Sequence, residues 1–193
     1  MALILNLETS TDVCSVALHQ DRKLLREIVV SETQAHAEKL APAIRELFQL
    51  TSLSVKELSA GAVGAGPGSY TGLRIGTSTA KGICFARELP LISIPTLELL
   101  ASQAIASAKT NGLLCPMIDA RRMEVYCQIF DNSLVAIQSA ESKIVDESSF
   151  QELLDVQRMF FFGNGADKCR NIIQHSNAFF LDNVVPLASA MGE

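Results

Sequence analysis

The run GPGSYTGLRIG, from Gly66 to Gly76, constrains this chain most, because it joins a strand-like segment to a helix through glycines that no ordinary turn requires. The preceding SAGAVGAG, from Ser59 to Gly66, is small and apolar enough for a buried strand. Pro67 and Gly68 then force a tight turn, and Ser69 is placed to cap the helix that follows. A helix start with free backbone N–H groups can hold an anion. The same small residues also let a helix lie close against its neighbours. The run is not a phosphate loop of the Walker type, since no Lys-Ser or Lys-Thr follows at the required spacing and Lys81 lies too far along the helix. That omission moves the reading toward a helix-packing device.

Around this run the hydrophobic periods define two groups of elements. ALILNLE (2–8), VCSVALH (13–19) and KLLREIVV (23–30) are β-rich and separated by short polar turns, as in an antiparallel meander. From about residue 33 the period changes to three and four, through Ala37, Leu40, Ala41, Ile44, Leu47 and Phe48, which predicts a helix to about Leu50. Pro42 inside it predicts a kink or a late helix start. Ser54 caps a short turn, residues 59–66 form a strand, and a long helix spans 70–87 with Leu73, Gly76, Thr77, Ala80, Ile83 and Cys84 on one face. LISI (91–94) reads as a strand, and Thr96 caps a helix to about 108.

TNG (110–112) reads as a hinge, giving a first lobe over 1–109 and a smaller second lobe over 110–193. The second lobe opens on strands at 113–120, 123–130 and 134–145. It continues with a short helix capped by Ser148 or Ser149, a strand at 159–163 and a helix at 166–175. A meander followed by alternating helices and strands, then a second meander, is the order of an α/β protein with two ribonuclease-H-like lobes. Actin-like ATPases and sugar kinases are built in this way.

At 193 residues with 48% hydrophobic and 19% charged side chains, the chain can bury a real core. Its net charge of −5 argues against binding nucleic acid unaided. Five cysteines without a CxxC pair fit a reducing compartment, and neither a signal peptide nor a membrane span is legible.

Candidate sites follow from the fold class. NLETSTD (6–12) can present N–H and hydroxyl groups of Thr9 and Ser10 to a phosphate, with Glu8 where a kinase of this architecture keeps a metal-holding acid. A plain hairpin accounts for the same residues. Asp119 leads the matching second hairpin, DARR, which lacks glycine, and so with Arg121 or Arg122 reads as a hairpin salt bridge or a partner contact rather than a catalytic pair. Gly163, in GNGA (163–166), either lines a nucleotide base or turns a strand into a helix. His36 is followed at i+4 by Leu40, and His19 and His175 lie in unrelated elements, so no metal set is assigned and His36 is expected at the solvent or an interface. Ser69 lacks a GxSxG context.

The opening ILNLETSTDVCSVAL, HAEKLAPAI (36–44), GPGSYTGLRIGTSTAKGI (66–83), IPTLELLA (94–101) and DARRMEVY (119–126) together resemble the TsaB (YeaZ) family of bacterial tRNA threonylcarbamoyladenosine biosynthesis proteins. The resemblance implies the two-lobe actin-like fold and a non-catalytic, cytoplasmic scaffold. Its partners would be a TsaD-like transferase acting on adenosine 37 of tRNA and a TsaE-like P-loop ATPase. It implies that the helices at 33–50 and 70–87 form a homodimer surface in isolation and that the same surface joins TsaD. His36, Leu40, Ile44 and Leu47 would lie there on the first helix, with Gly72, Leu73, Gly76, Thr77 and Ala80 on the second. It implies no cofactor of its own, with room for ATP or ADP at a joint interface, and contact with tRNA only through the complex. TsaD-like chains carry an HxxxH metal motif, whose second histidine is replaced here by Leu40. The alternatives are a metallopeptidase of the glycoprotease type and a weakly nucleotide-binding kinase relative. Beyond Pro186 the resemblance leads one to expect a further helix on the first lobe.

Overall fold

Leu3, Leu5 and Leu7 alternate with Ile4, Asn6 and Glu8, and a period of two places the leucines on one face of a strand. A computed structural model of the protein describes residues 1–31, 36–107 and 110–192. In it β1 (Leu3–Glu8), β2 (Cys14–Gln20) and β3 (Lys23–Val30) form an antiparallel meander, with Leu3 opposite Gln20 and Glu8 opposite Ser15. Helix α1 (His36–Thr51) and a 3-10 turn capped by Ser54 lead to β4 (Ala60–Gly64), which runs parallel to β1. Helix α2 (Tyr70–Arg87) then leads to β5 (Leu91–Ile94), parallel to β4. The sheet order is β3-β2-β1-β4-β5. Leu40, Ala43, Leu47 and Phe48 of α1 and Ala80 of α2 join the leucine face of β1 and Val16 and Leu18 of β2 in one core. The predicted helix start at residues 33–35 lies outside the described residues, and α1 continues through Pro42. Pro42 and Glu38, whose carbonyl loses a donor there, are both exposed, so water can satisfy that carbonyl.

The second sheet repeats this order. It comprises β6 (Leu113–Asp119), β7 (Glu124–Phe130) and β8 (Ala136–Ile144) as a meander, with β9 (Met159–Phe162) parallel to β6 and β10 (Ala178–Phe180) parallel to β9. The order β8-β7-β6-β9-β10 matches that of the first sheet. One face packs Cys115, Met117, Cys127 and Phe161 against Cys169 and Ile173. The other packs Leu114, Ile118, Phe130, Phe160 and Phe162 against Leu97, Leu100 and Ala104 of α3 (Thr96–Ser107).

That packing shifts the lobe boundary. The compact units are Met1–Thr96 with Pro186–Glu193, and Leu97–Val185, rather than 1–109 and 110–193. The apolar face of α3 is committed to the second sheet, and the tail returns to the first. There the Ala188 N–H donates to Ser15 Oγ (2.8 Å), the Ser189 N–H to Glu27 Oε1 (2.8 Å), and His19 Nε2–H to the Ser189 carbonyl (3.0 Å). Residues Ala188–Gly192 of the tail form a 3-10 turn.

Two further expectations change. The helix expected at 166–175 is a 3-10 turn over Asp167–Cys169 followed by irregular chain. The Gly165 N–H just before it bonds the Met117 carbonyl (3.0 Å), and the chain then closes on i to i+3 bonds, with the Cys169 N–H on the Ala166 carbonyl (2.9 Å). The short α4 (Gln151–Leu154) starts at Phe150, in the left-handed region at φ 68°, instead of at a serine cap. Both serines, Ser148 and Ser149, bond Asp146.

Candidate functional site

The glycine run docks α2 onto the turn between β1 and β2. A methyl group at Gly68 would overlap the Ser10 carbonyl oxygen, one at Gly72 the Thr9 carbonyl oxygen, and one at Gly76 the Thr9 hydroxyl. Hydrogen bonds hold this close approach. The Thr9 hydroxyl donates to the Gly72 carbonyl (2.8 Å), the Ser69 N–H donates to the Ser10 carbonyl (2.7 Å), and Ser69 Oγ caps the Gly72 N–H (3.3 Å). The Ser69 and Gly72 N–H groups at the start of α2 are therefore engaged inside the chain.

Glu8, Thr9 and Ser10 are consequently buried and not presented to a phosphate, which corrects their reading as phosphate contacts. Glu8 is 0% exposed. Its Oε1 accepts the Ser10 N–H (2.6 Å), while Oε2, lying where a side chain at Gly64 would stand, has no partner among the described residues. Burial pushes the carboxyl up from its ordinary 4.5 to about 6, against the lowering effect of the Ser10 and Thr9 hydrogen bonds. Between those values the folded chain keeps a proton that the unfolded chain has released, so stability falls as pH rises through this window and stays lower above it. We predict that Glu8→Gln stabilises the fold by about 2 kcal/mol at pH 7.5 and by almost nothing at pH 4. Thermal unfolding at the two pH values checks this, and an equal effect at both would contradict it.

His36 is also enclosed. Its Nε2–H donates to the Thr11 carbonyl (2.8 Å), so it ties α1 to the same turn instead of facing solvent. Of the residues assigned to the partner surface, Leu40, Leu47, Gly72, Gly76 and Ala80 are buried, and Ile44 nearly as fully. Leu73 and Thr77 are half-buried. The apolar period that singled them out is the period of the core. The exposed face of the two helices is made of other residues: Ala37, Ala41 and Arg45 on α1, and Tyr70, Arg74, Ser78, Lys81 and Phe85 on α2. Tyr70 and Phe85 are 74% and 89% exposed. The sequence signal for them is two aromatics lying off the apolar stripe of α2. An open groove of about 710 Å³ is lined by Ala41, Ile44, Phe48, Leu53, Val55 and Ile83, with Arg45, Gln49, Ser52 and Ser54.

In the second unit Asp119 is exposed but engaged. It pairs with Lys168, not with Arg121 or Arg122, and accepts the Arg121 N–H (3.1 Å). Arg121 and Arg122 occupy the left-handed region at φ 70° and 46°, where they form the tight turn between β6 and β7. Gly163, at φ 96°, lies against the Met117 carbonyl, and Asn164 Oδ1 accepts the Asp119 N–H (3.0 Å). The GNGA segment thus anchors the end of β6. Among the described residues no three His, Cys, Asp or Glu side chains converge on a metal position, and no helix is long and apolar enough to cross a membrane.

Over residues 23–184 the chain matches the family model described as TsaD: tRNA N6-adenosine threonylcarbamoyltransferase. It is 30% identical over 178 residues to the tRNA threonylcarbamoyladenosine biosynthesis protein TsaB of Haemophilus influenzae, covering 91% of this chain and 70% of that protein. The chain belongs to this family and, within it, to the TsaB proteins. The Escherichia coli TsaB protein is 35% identical over 123 residues, 64% of this chain, and the chain spans only about half (52%) of that relative's length. The YeaZ structure from Pseudomonas aeruginosa superposes with a TM-score of 0.85 at 26% identity, covering 99% of this chain and 89% of that one. A Clostridium difficile dehydratase activator with bound ADPNP superposes at a TM-score of 0.54 and 11% identity over 98% of this chain and 92% of its own, which shows the shared actin-like fold.

Proposed function

We propose that this chain acts in tRNA N6-threonylcarbamoyladenosine biosynthesis as a non-catalytic scaffold. It docks on a TsaD-like transferase through the exposed faces of α1 and α2, in a cytoplasmic complex that also takes a TsaE-like ATPase. The observation that carries this reading is the juxtaposition, on a TsaB-family chain, of two open helices and an apolar groove with a hairpin closed against ligand. Large exposed aromatics and a mostly apolar groove on the same pair of helices are what a partner covers. The peptidase and kinase alternatives each need reactive groups presented to a substrate. Here the kinase-type groups Glu8, Thr9 and Ser10 are enclosed and Asp119 is tied to Lys168. A net charge of −5 supports contact with tRNA through the complex rather than by this chain alone.

Mixing the purified chain with the TsaD-like protein of the same organism at micromolar concentration is expected to give a co-eluting heterodimer on size exclusion. Omitting the chain from a reconstituted reaction is expected to abolish modification of adenosine 37. Separate elution together with undiminished modification would overturn the proposal. In isolation the same face is expected to hold two copies together, which sedimentation reads directly.

A further inference from the structure

Helix α2 presents to solvent a single stripe of Tyr70, Arg74, Ser78, Lys81 and Phe85, at steps of four, four, three and four residues. The stripe has an exposed aromatic at each end and two cations between them, and Tyr70–Arg87 contains no aspartate or glutamate. Arg74 lies over the Tyr70 ring, 5.3 Å from its centre, so guanidinium and ring are presented together. Arg87, at the end of the helix, is engaged with the Lys56 carbonyl (3.1 Å) and lies off the stripe. The charges on α1 are of both signs, Glu38 and Glu46 with Lys39 and Arg45, and Glu88 follows α2 at its C-cap. A locally cationic helix on a chain of net charge −5 is a concentrated feature.

We infer that the partner face opposite α2 is acidic, with carboxylates set against Arg74 and Lys81 between two apolar sockets that receive Tyr70 and Phe85. This inference rests on the docking reading above and adds the chemistry of the face that docks. A two-fold contact along α2 sets cations against cations, so the self-association expected above is weaker than the complex with the transferase. RNA fits the stripe less well, because two cations neutralise few phosphates and the chain as a whole carries a net charge of −5.

The test is titration of the chain with the TsaD-like transferase at 50 mM and 300 mM salt, alongside the variant R74E/K81E. Both side chains are exposed, so the thermal midpoint of the variant should match that of the unaltered chain. The expected result is about tenfold weaker binding at high salt for the unaltered chain and about 30-fold or more weakening by the double reversal at low salt. Salt-independent binding that the reversal leaves unchanged overturns the acidic face while the docking reading stands. Absence of any complex with the unaltered chain overturns both. If the reversal abolishes only retention of tRNA by the chain alone, or only its self-association, the stripe serves RNA or a second copy and the inference fails.

Discussion

Replacing Gly72 by alanine should cost about 3 kcal/mol of folding stability or more, the upper end of what overpacking costs. The added methyl meets the Thr9 carbonyl oxygen, a backbone atom at the end of β1 that cannot rotate aside. Relief requires α2 to lift from the turn, which breaks the Thr9 bond to the Gly72 carbonyl and the Ser69 bond to Ser10. Gly82 supplies the contrast within the same helix. It is exposed and nothing lies within 4 Å of an added Cβ, so Gly82→Ala should stabilise by up to about 1 kcal/mol through helix propensity alone. Urea unfolding of the two variants separates the effects. Equal and small changes would show that the glycines near the turn carry no packing role.

Phe85→Asp should weaken binding to the TsaD-like partner about 100-fold, equivalent to about 3 kcal/mol, while leaving the unfolding midpoint nearly unchanged. The ring is 89% exposed, so the isolated fold gains little from it, and in a complex it would be among the largest apolar surfaces removed from water. A carboxylate there adds an uncompensated charge opposite a face inferred to be acidic. Unchanged affinity would remove Phe85 from the docking surface. Loss of affinity with a lowered midpoint would indicate a folding defect instead.

The element order was legible because it rests on local periods. The limits of α2, β5 and most of the strands follow from alternation and capping, and Ser69 caps as its position implies. The short chain between β9 and β10 was misread as a helix, since nothing local shows that its first residues are spent bonding β6. The lobe boundary was misplaced for a similar reason: α3 has an apolar face whose partner sheet cannot be named from the sequence. On the candidate site, the apolar stripes of α1 and α2 turn out to mark the faces packed in the core. Leu40, Leu47 and Ala80 are periodic because they pack inward, and the outward residues Tyr70, Arg74, Lys81 and Phe85 share no apolar period.

By itself the sequence determined that a glycine-rich turn starts a long helix after a buried strand, and that this turn lacks the lysine of a phosphate loop. Only the tertiary structure decided what the glycines are for. Their spacing matches the backbone of a turn some sixty residues earlier in the chain, with the Thr9 hydroxyl bonding the Gly72 carbonyl, |i−j| = 63. A contact of that range leaves no local trace, because the residues that make it are chosen for the absence of a side chain.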